Sequence, residues 1–211
     1  MQIKSFGLVS LVAAASVQAA VTIDFESDAG GTRSNGFSSV NSPLVTFSNV
    51  SDQPIIGGLS IFDAFTTETI GQSLSVEPEA SRVRLQMDFS VPIYSLSLMF
   101  GNDEPGQFIT LPGSEDLAVL NLYNGATLLQ TVTVIPNGND AMDQTISWIH
   151  SGTGATRAEF FYGDHDLNAF DLIETVDNIT FSTTVPEPST YAALGFAAVV
   201  GAHVWRRRKK A

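Results

Sequence analysis

Ser81-Arg82-Val83-Arg84-Leu85-Gln86-Met87-Asp88-Phe89-Ser90-Val91-Pro92-Ile93-Tyr94-Ser95-Leu96-Ser97-Leu98-Met99-Phe100-Gly101 decides the fold class. Val83, Leu85, Met87 and Phe89 alternate with Arg82, Arg84, Gln86 and Asp88. After Pro92 the pattern resumes, with Tyr94, Leu96, Leu98 and Phe100 set against Ser95 and Ser97. A period of two places successive side chains on opposite faces of an extended chain, so each half is a strand with one apolar and one polar face.

The same signal recurs on both sides. Val21 to Phe25 alternates, and Leu44 to Phe47 reads as a second short strand. Asp116 to Tyr123 and Ala126 to Val134 flank Asn124-Gly125, a dipeptide that favours the positive φ angles of a type I′ turn and so predicts a hairpin. Ile146 to His150, Arg157 to Tyr162 and Asn178 to Ser182 complete the strands. Gly30-Gly31 through Pro43 reads as loop, and Ser51 to Gly71 is apolar without a clear period. No part of this region holds ten residues of helical periodicity, and no internal repeat is present. The expected body is all-β: an antiparallel two-sheet β-sandwich.

Both ends differ from this body. Lys4, the apolar stretch Phe6 to Val17 and the small-residue site Val17-Gln18-Ala19 predict a helical signal peptide over residues 1–19. Residues 185–211 run Val-Pro-Glu-Pro-Ser-Thr, then an apolar span of about fifteen residues from Tyr191 to Trp205, then Arg206, Arg207, Arg208, Lys209, Lys210 and Ala. The span is short for a transmembrane helix, which needs about twenty residues, and the flanking cations extend it by snorkelling. Positive residues stay on the cytoplasmic side, so residues 20–184 lie outside. That body keeps only Arg33, Arg82, Arg84 and Arg157 against twenty-one acids, a charge of about −17. Such a surface excludes nucleic acid as a partner, because phosphate binding requires cations. The absence of cysteine excludes disulfide and thiolate chemistry.

The tail resembles the PEP-CTERM sorting signal of Gram-negative bacteria through Pro186-Glu187-Pro188, the apolar span and the basic end. That resemblance implies a protein exported across the inner membrane, held there briefly, and cut near the Pro-Glu-Pro motif by an exosortase. The product then resides at the cell surface or in an extracellular matrix, in organisms that make exopolysaccharide. The body resembles the jelly-roll domains of such proteins and of carbohydrate-binding modules through Ile93 to Gly101, Ala118 to Leu128 and Val176 to Phe181. An exported, non-catalytic matrix or surface protein is the expectation, with a carbohydrate-binding or carbohydrate-cleaving domain as the alternative.

No nucleophile elbow, phosphate-binding glycine loop or His-Glu-x-x-His is present. Glu159, Asp164 and Asp166 are the local carboxylates from which a glycosidase pair would be drawn, and His150 and His165 are the histidines of the body. Asp24, Glu26 and Asp177 form a candidate Ca²⁺ site, because the first and last strands of a sandwich often neighbour each other and parity leaves Asp24 and Glu26 on one face. The jelly-roll resemblance implies the same, since such domains often hold calcium where their ends meet. Asp164, His165 and Asp166, with Asp171, are a second acidic cluster. Trp148, the only Trp of the body, is the candidate sugar contact, with a sheet-packing residue as the alternative reading; Tyr123 and Tyr162 lie at strand ends, where a loop site could use them.

Overall fold

The computed structural model describes residues 20–51, 58–63, 71–76, 82–101, 116–137, 141–170 and 175–185. Twelve strands run through them: β1 (Val21–Ile23), β2 (Gly31–Arg33), β3 (Val45–Val50), β4 (Leu59–Asp63), β5 (Gln72–Val76), β6 (Arg84–Ile93), β7 (Ser95–Gly101), β8 (Leu117–Asn124), β9 (Thr127–Val134), β10 (Gln144–Ile149), β11 (Ala155–Gly163) and β12 (Thr175–Ser182). The described residues contain no helix. One sheet has seven strands in the order β10-β7-β12-β5-β4-β2, with β1 also on β12; the other has five, β3-β6-β11-β8-β9. All pairs are antiparallel. The two-sheet antiparallel class expected from the alternation is therefore what forms. The signal peptide, the apolar span and the basic tail lie outside the described residues.

Alternation builds the core. Val83, Leu85, Met87 and Phe89 are buried, as are Leu96, Leu98 and Phe100, and they meet Phe47, Leu120, Phe160, Tyr162 and Phe181 between the sheets. Edge-on ring pairs lock the packing, with Phe89 against Phe181 at 5.3 Å and Phe25 against Phe47 at 5.7 Å between centroids. Among the described residues, the strand pairing and this core link both sheets into one packed unit.

Four details depart from the sequence reading. The first strand of the deciding stretch runs on through Pro92 to Ile93. The β6–β11 ladder jumps from Asp88↔Arg157 to Ile93↔Ala155, and the proline sits in that exposed bulge, where it removes no ladder bond. Gly31–Arg33, within the supposed loop, pairs with β4, which itself emerges from the aperiodic stretch. β5 was not anticipated, because only Leu74 and Val76 carry its pattern while Ser73 and Ser75 are buried beside them. The hairpin exists, but its loop is Gly125-Ala126, since Asn124 pairs with Thr127. Only Gly125 has positive φ, 56°, which is the II′ rather than the I′ pattern. Asn124 stays in the strand because its side chain donates to the Gly154 carbonyl at 2.8 Å.

Candidate functional site

Strand β1 pairs with β12 through Val21↔Phe181, Thr22↔Thr180 and Ile23↔Ile179, so the first and last strands are neighbours. This pairing has two consequences. Ala20, before Val21, and Thr183 to Val185, after Ser182, follow on from the paired strands at the same end of that ladder. At the other end of the pairing, Asp24 and Glu26 come up to Asp177.

That acidic corner is shaped by backbone that side chains rarely adopt. Phe25 (φ 57°) is buried between the two β1 acids, and Asn178 (φ 48°) lies in the β12 irregularity between Asp177 and Thr180. Asp24 Oδ1 accepts from Asn41 Nδ2 at 2.6 Å and from the Glu26 amide at 3.3 Å. Glu26 Oε1 accepts from the Gln72 amide at 2.8 Å. It lies so close to Gly71 (φ 106°) that a Cβ there would sit 1.8 Å away, which fixes glycine at that position. Asp177 is 8% exposed; its Oδ2 accepts from Asn178 Nδ2 at 3.1 Å, and its buried Oδ1 has no partner. Burial pushes its pKa up to about 6; the Asn178 amide pulls the other way, and the negative charges of Glu26 and Asp24 add to the rise.

The three predicted acids are thus gathered, but not aimed at one point. Among the described residues no group of three or more His, Asp or Glu side chains converges closely enough to hold a metal ion. Asp24 and Glu26 are spent on Asn41 and Gln72. The arrangement as it stands does not fit a six- to eight-oxygen calcium site.

The other candidates resolve differently. Trp148 is 4% exposed, donates from Nε1 to Gln130 Oε1 at 3.0 Å and stacks on His150 at 5.8 Å between centroids. Its ring is packed inside the sandwich, so it offers no face to a sugar. Tyr162 is fully buried, with its hydroxyl donating to the Gly101 carbonyl at 2.7 Å. Asp164 organises its own loop, accepting from the Asn168 amide at 2.9 Å and from Asn168 Nδ2. Those side-chain and backbone bonds hold its pKa below the usual carboxylate range. His165 and Asp166 are exposed beside it, and Asp171 lies outside the described residues.

Glu159 belongs to a surface that the sequence did not reveal. The registers align Ser48, Gln86, Glu159, Asn121 and Thr131 in one row across all five strands of the smaller sheet, on its outer face. The adjacent row is Thr46, Asp88, Arg157, Tyr123 and Leu128. The Arg157 guanidinium lies 4.2 Å from the Tyr123 ring centroid and 3.5 Å from Glu159 Oε1. The Tyr123 hydroxyl donates to Glu159 Oε2 at 3.3 Å, and burial, then the Glu159 charge, raises its pKa. Gln86 donates to Asp88 at 2.6 Å, Thr131 to Asn121 at 2.6 Å, and Arg84 sits 5.3 Å above the Phe161 ring. The result is a flat platform of amides, hydroxyls, two guanidinium groups and two carboxylates. Its five strands span about 19 Å at the usual spacing of about 4.8 Å. Its side chains offer hydrogen-bond donors and acceptors, several of them already paired with one another.

Residues 184–209 match the PEP-CTERM protein-sorting motif. No curated protein matches the chain. Among solved structures, the K2 cleaved adhesin domain of Lys-gingipain is similar at 12% identity and TM-score 0.45, over 78% of this chain and 99% of that one. The family 29 carbohydrate-binding module CBM29-2, solved with mannohexaose, is similar at 12% identity and TM-score 0.39, over 78% and 92%.

Proposed function

We infer that this is an exported, non-catalytic protein of the cell surface or extracellular matrix, delivered through its C-terminal sorting motif. The observation that carries the reading is the match over residues 184–209, coupled to an apolar run and five terminal cations. In this reading the chain crosses the inner membrane of a Gram-negative bacterium and its body folds outside. An exosortase then cuts near Pro186-Glu187-Pro188, releasing the sandwich into an exopolysaccharide-rich surround. The position of Ala20 and Val185 at the same end of the β1–β12 ladder supports it, since a single tether point leaves both sheet faces clear of the membrane. Intact-mass measurement of the surface form tests it: the expected mass lacks Arg206 to Lys210, and a surface form retaining them overturns the reading.

A second reading is favoured by the outer platform of the five-stranded sheet, not by Trp148. Its balanced donors and acceptors suit a neutral polysaccharide, whereas a body of about −17 repels an acidic one. Pull-down of residues 20–184 on neutral matrix polysaccharides should show binding that Tyr123→Ala or Arg157→Ala weakens at least about tenfold, or about 1.4 kcal/mol. Absence of binding leaves the platform a self-paired polar sheet face.

A further inference from the structure

We propose that the free edge of β9 pairs antiparallel with β9 of a second copy of this chain, joining two five-stranded sheets into one. The proposal starts from how the chain treats its sheet edges. An edge strand presents unpaired N–H and C=O groups, and proteins normally cover, shorten or charge such edges. The opposite edge of the same sheet, β3, is covered. Gly36 donates to the Phe47 carbonyl at 2.9 Å and the Phe47 amide to the Phe37 carbonyl at 2.7 Å. Asn35 bonds both the amide (2.7 Å) and the carbonyl (3.0 Å) of Asn49, and Ser38 Oγ donates to the Val45 carbonyl at 2.9 Å. In the larger sheet β1 and β2 are only three residues each. The remaining edge, β10, has the crossover from β9 tied across its start: Asn137 bonds the side chains of Gln144 and Asp143 at 2.7 and 2.8 Å.

β9 is neither covered, shortened nor charged; its one irregularity is the register shift at Leu129, which leaves Gln130 to Val134 in regular pairing with β8. It is eight residues long, and among the described residues no strand lies on its far side. It carries no charge, no proline and no glycine; from Leu117 to Asn139 the chain has no charged residue at all. Thr, Leu and Val dominate it, the composition that favours strand pairing. Leu128 and, just past its end, Ile135 are half exposed, at 50% and 49%. Gln144 Nε2 caps the Ile135 carbonyl at 3.1 Å, so the open edge ends there.

Charge selects the occupant. The rest of the body is strongly acidic, and two copies brought together at most other surfaces oppose like charges. The β8–β9 hairpin is where they meet without doing so. A two-fold axis sets identical strands antiparallel, the orientation already used throughout this sheet, so the strand is its own complement. The joined sheet has ten strands, within the size that open twisted sheets reach.

The test is sedimentation of residues 20–184 over a range of concentrations, at low and high salt. The expected result is a monomer–dimer equilibrium that salt shifts toward dimer, because screening relieves repulsion between acidic bodies while leaving backbone pairing intact. Thr131→Lys/Thr133→Lys sets cations against cations at the joint and should give monomer. It does so although it lowers the net negative charge, which by itself favours association. Ser34→Lys, on the opposite side of the sheet, should leave the dimer intact. Unchanged circular dichroism and melting in each variant separate lost pairing from lost folding. Hydrogen exchange of β9 amides should slow as concentration rises. A wild type that stays monomeric at every concentration and salt, or a dimer that survives the double lysine variant, overturns the proposal.

Discussion

The carboxyl of Asp177 is buried where two other acids gather, so its titration governs how that corner responds to pH. Its folded pKa, about 6, lies above the ordinary carboxylate value, which means the native state binds the proton more tightly than the unfolded chain. The stability this confers is full below about pH 4 and is lost as pH rises through 6, an effect of about 3 kcal/mol at the usual 1.4 kcal/mol per unit. Asp177→Asn should flatten that part of the stability-against-pH curve and raise stability at neutral pH. An unchanged slope between pH 4 and 6 would show that the carboxyl is ionised at no cost. A Ca²⁺ ion at the unpartnered Oδ1 is the competing proposal, and it requires Glu26 to leave Gln72. It predicts that calcium restores the stability lost above pH 6, that Mg²⁺ does much less, and that Asp177→Asn abolishes the difference. Equal melting shifts from both ions leave the proton as the sole partner of that oxygen.

Between residues and the whole sandwich, the β8–β9 hairpin gives a separate test of local geometry. A Cβ at Gly125 meets nothing within 4 Å, so Gly125→Val adds no clash and reports only the strain of φ 56° on a β-branched residue. A loss of about 1–2 kcal/mol by denaturant titration is expected. An unchanged midpoint would place the bend elsewhere. The hairpin itself was legible in the sequence, as were β3, β6 and β7, because each buries one face and alternates over most of its length; β11 was legible as a strand although Phe160 to Gly163 are buried in a row. The turn residue was misplaced by one, since Asn124 bonds Gly154, a residue just before β11 and thirty positions away. β2 and β5 were hidden by brevity and by buried serines. The same contrast holds for function. The acidic corner was legible because it follows from pairing the chain's ends. The outer platform was not: Tyr123 and Glu159 meet across 36 residues of sequence, and only the β8–β11 register puts them side by side.

Taken whole, the chain is an acidic body followed by a sorting motif, and in the proposed reading its membrane orientation rests on that tail. In that reading, the apolar run from Tyr191 to Trp205 is short of the about twenty residues a hydrocarbon core requires, so hydrophobicity by itself would anchor it weakly. The five cations compensate in two ways. Their stems would extend the span by snorkelling, and their charge, which resists transfer across the membrane, would hold the end in the cytoplasm. The body would give no counterweight, because its charge of about −17 carries little topological information. Replacing Arg206 to Lys210 with Gln should therefore loosen the anchor without affecting the fold. In cells lacking the processing enzyme, the wild type should fractionate with the inner membrane, its body open to protease from the periplasmic side. The Gln variant should appear largely in the soluble periplasmic fraction, with unchanged circular dichroism. A variant that stays fully membrane-bound would mean that the short span anchors by itself, and the basic block would then be left with the sorting enzyme as its only reader.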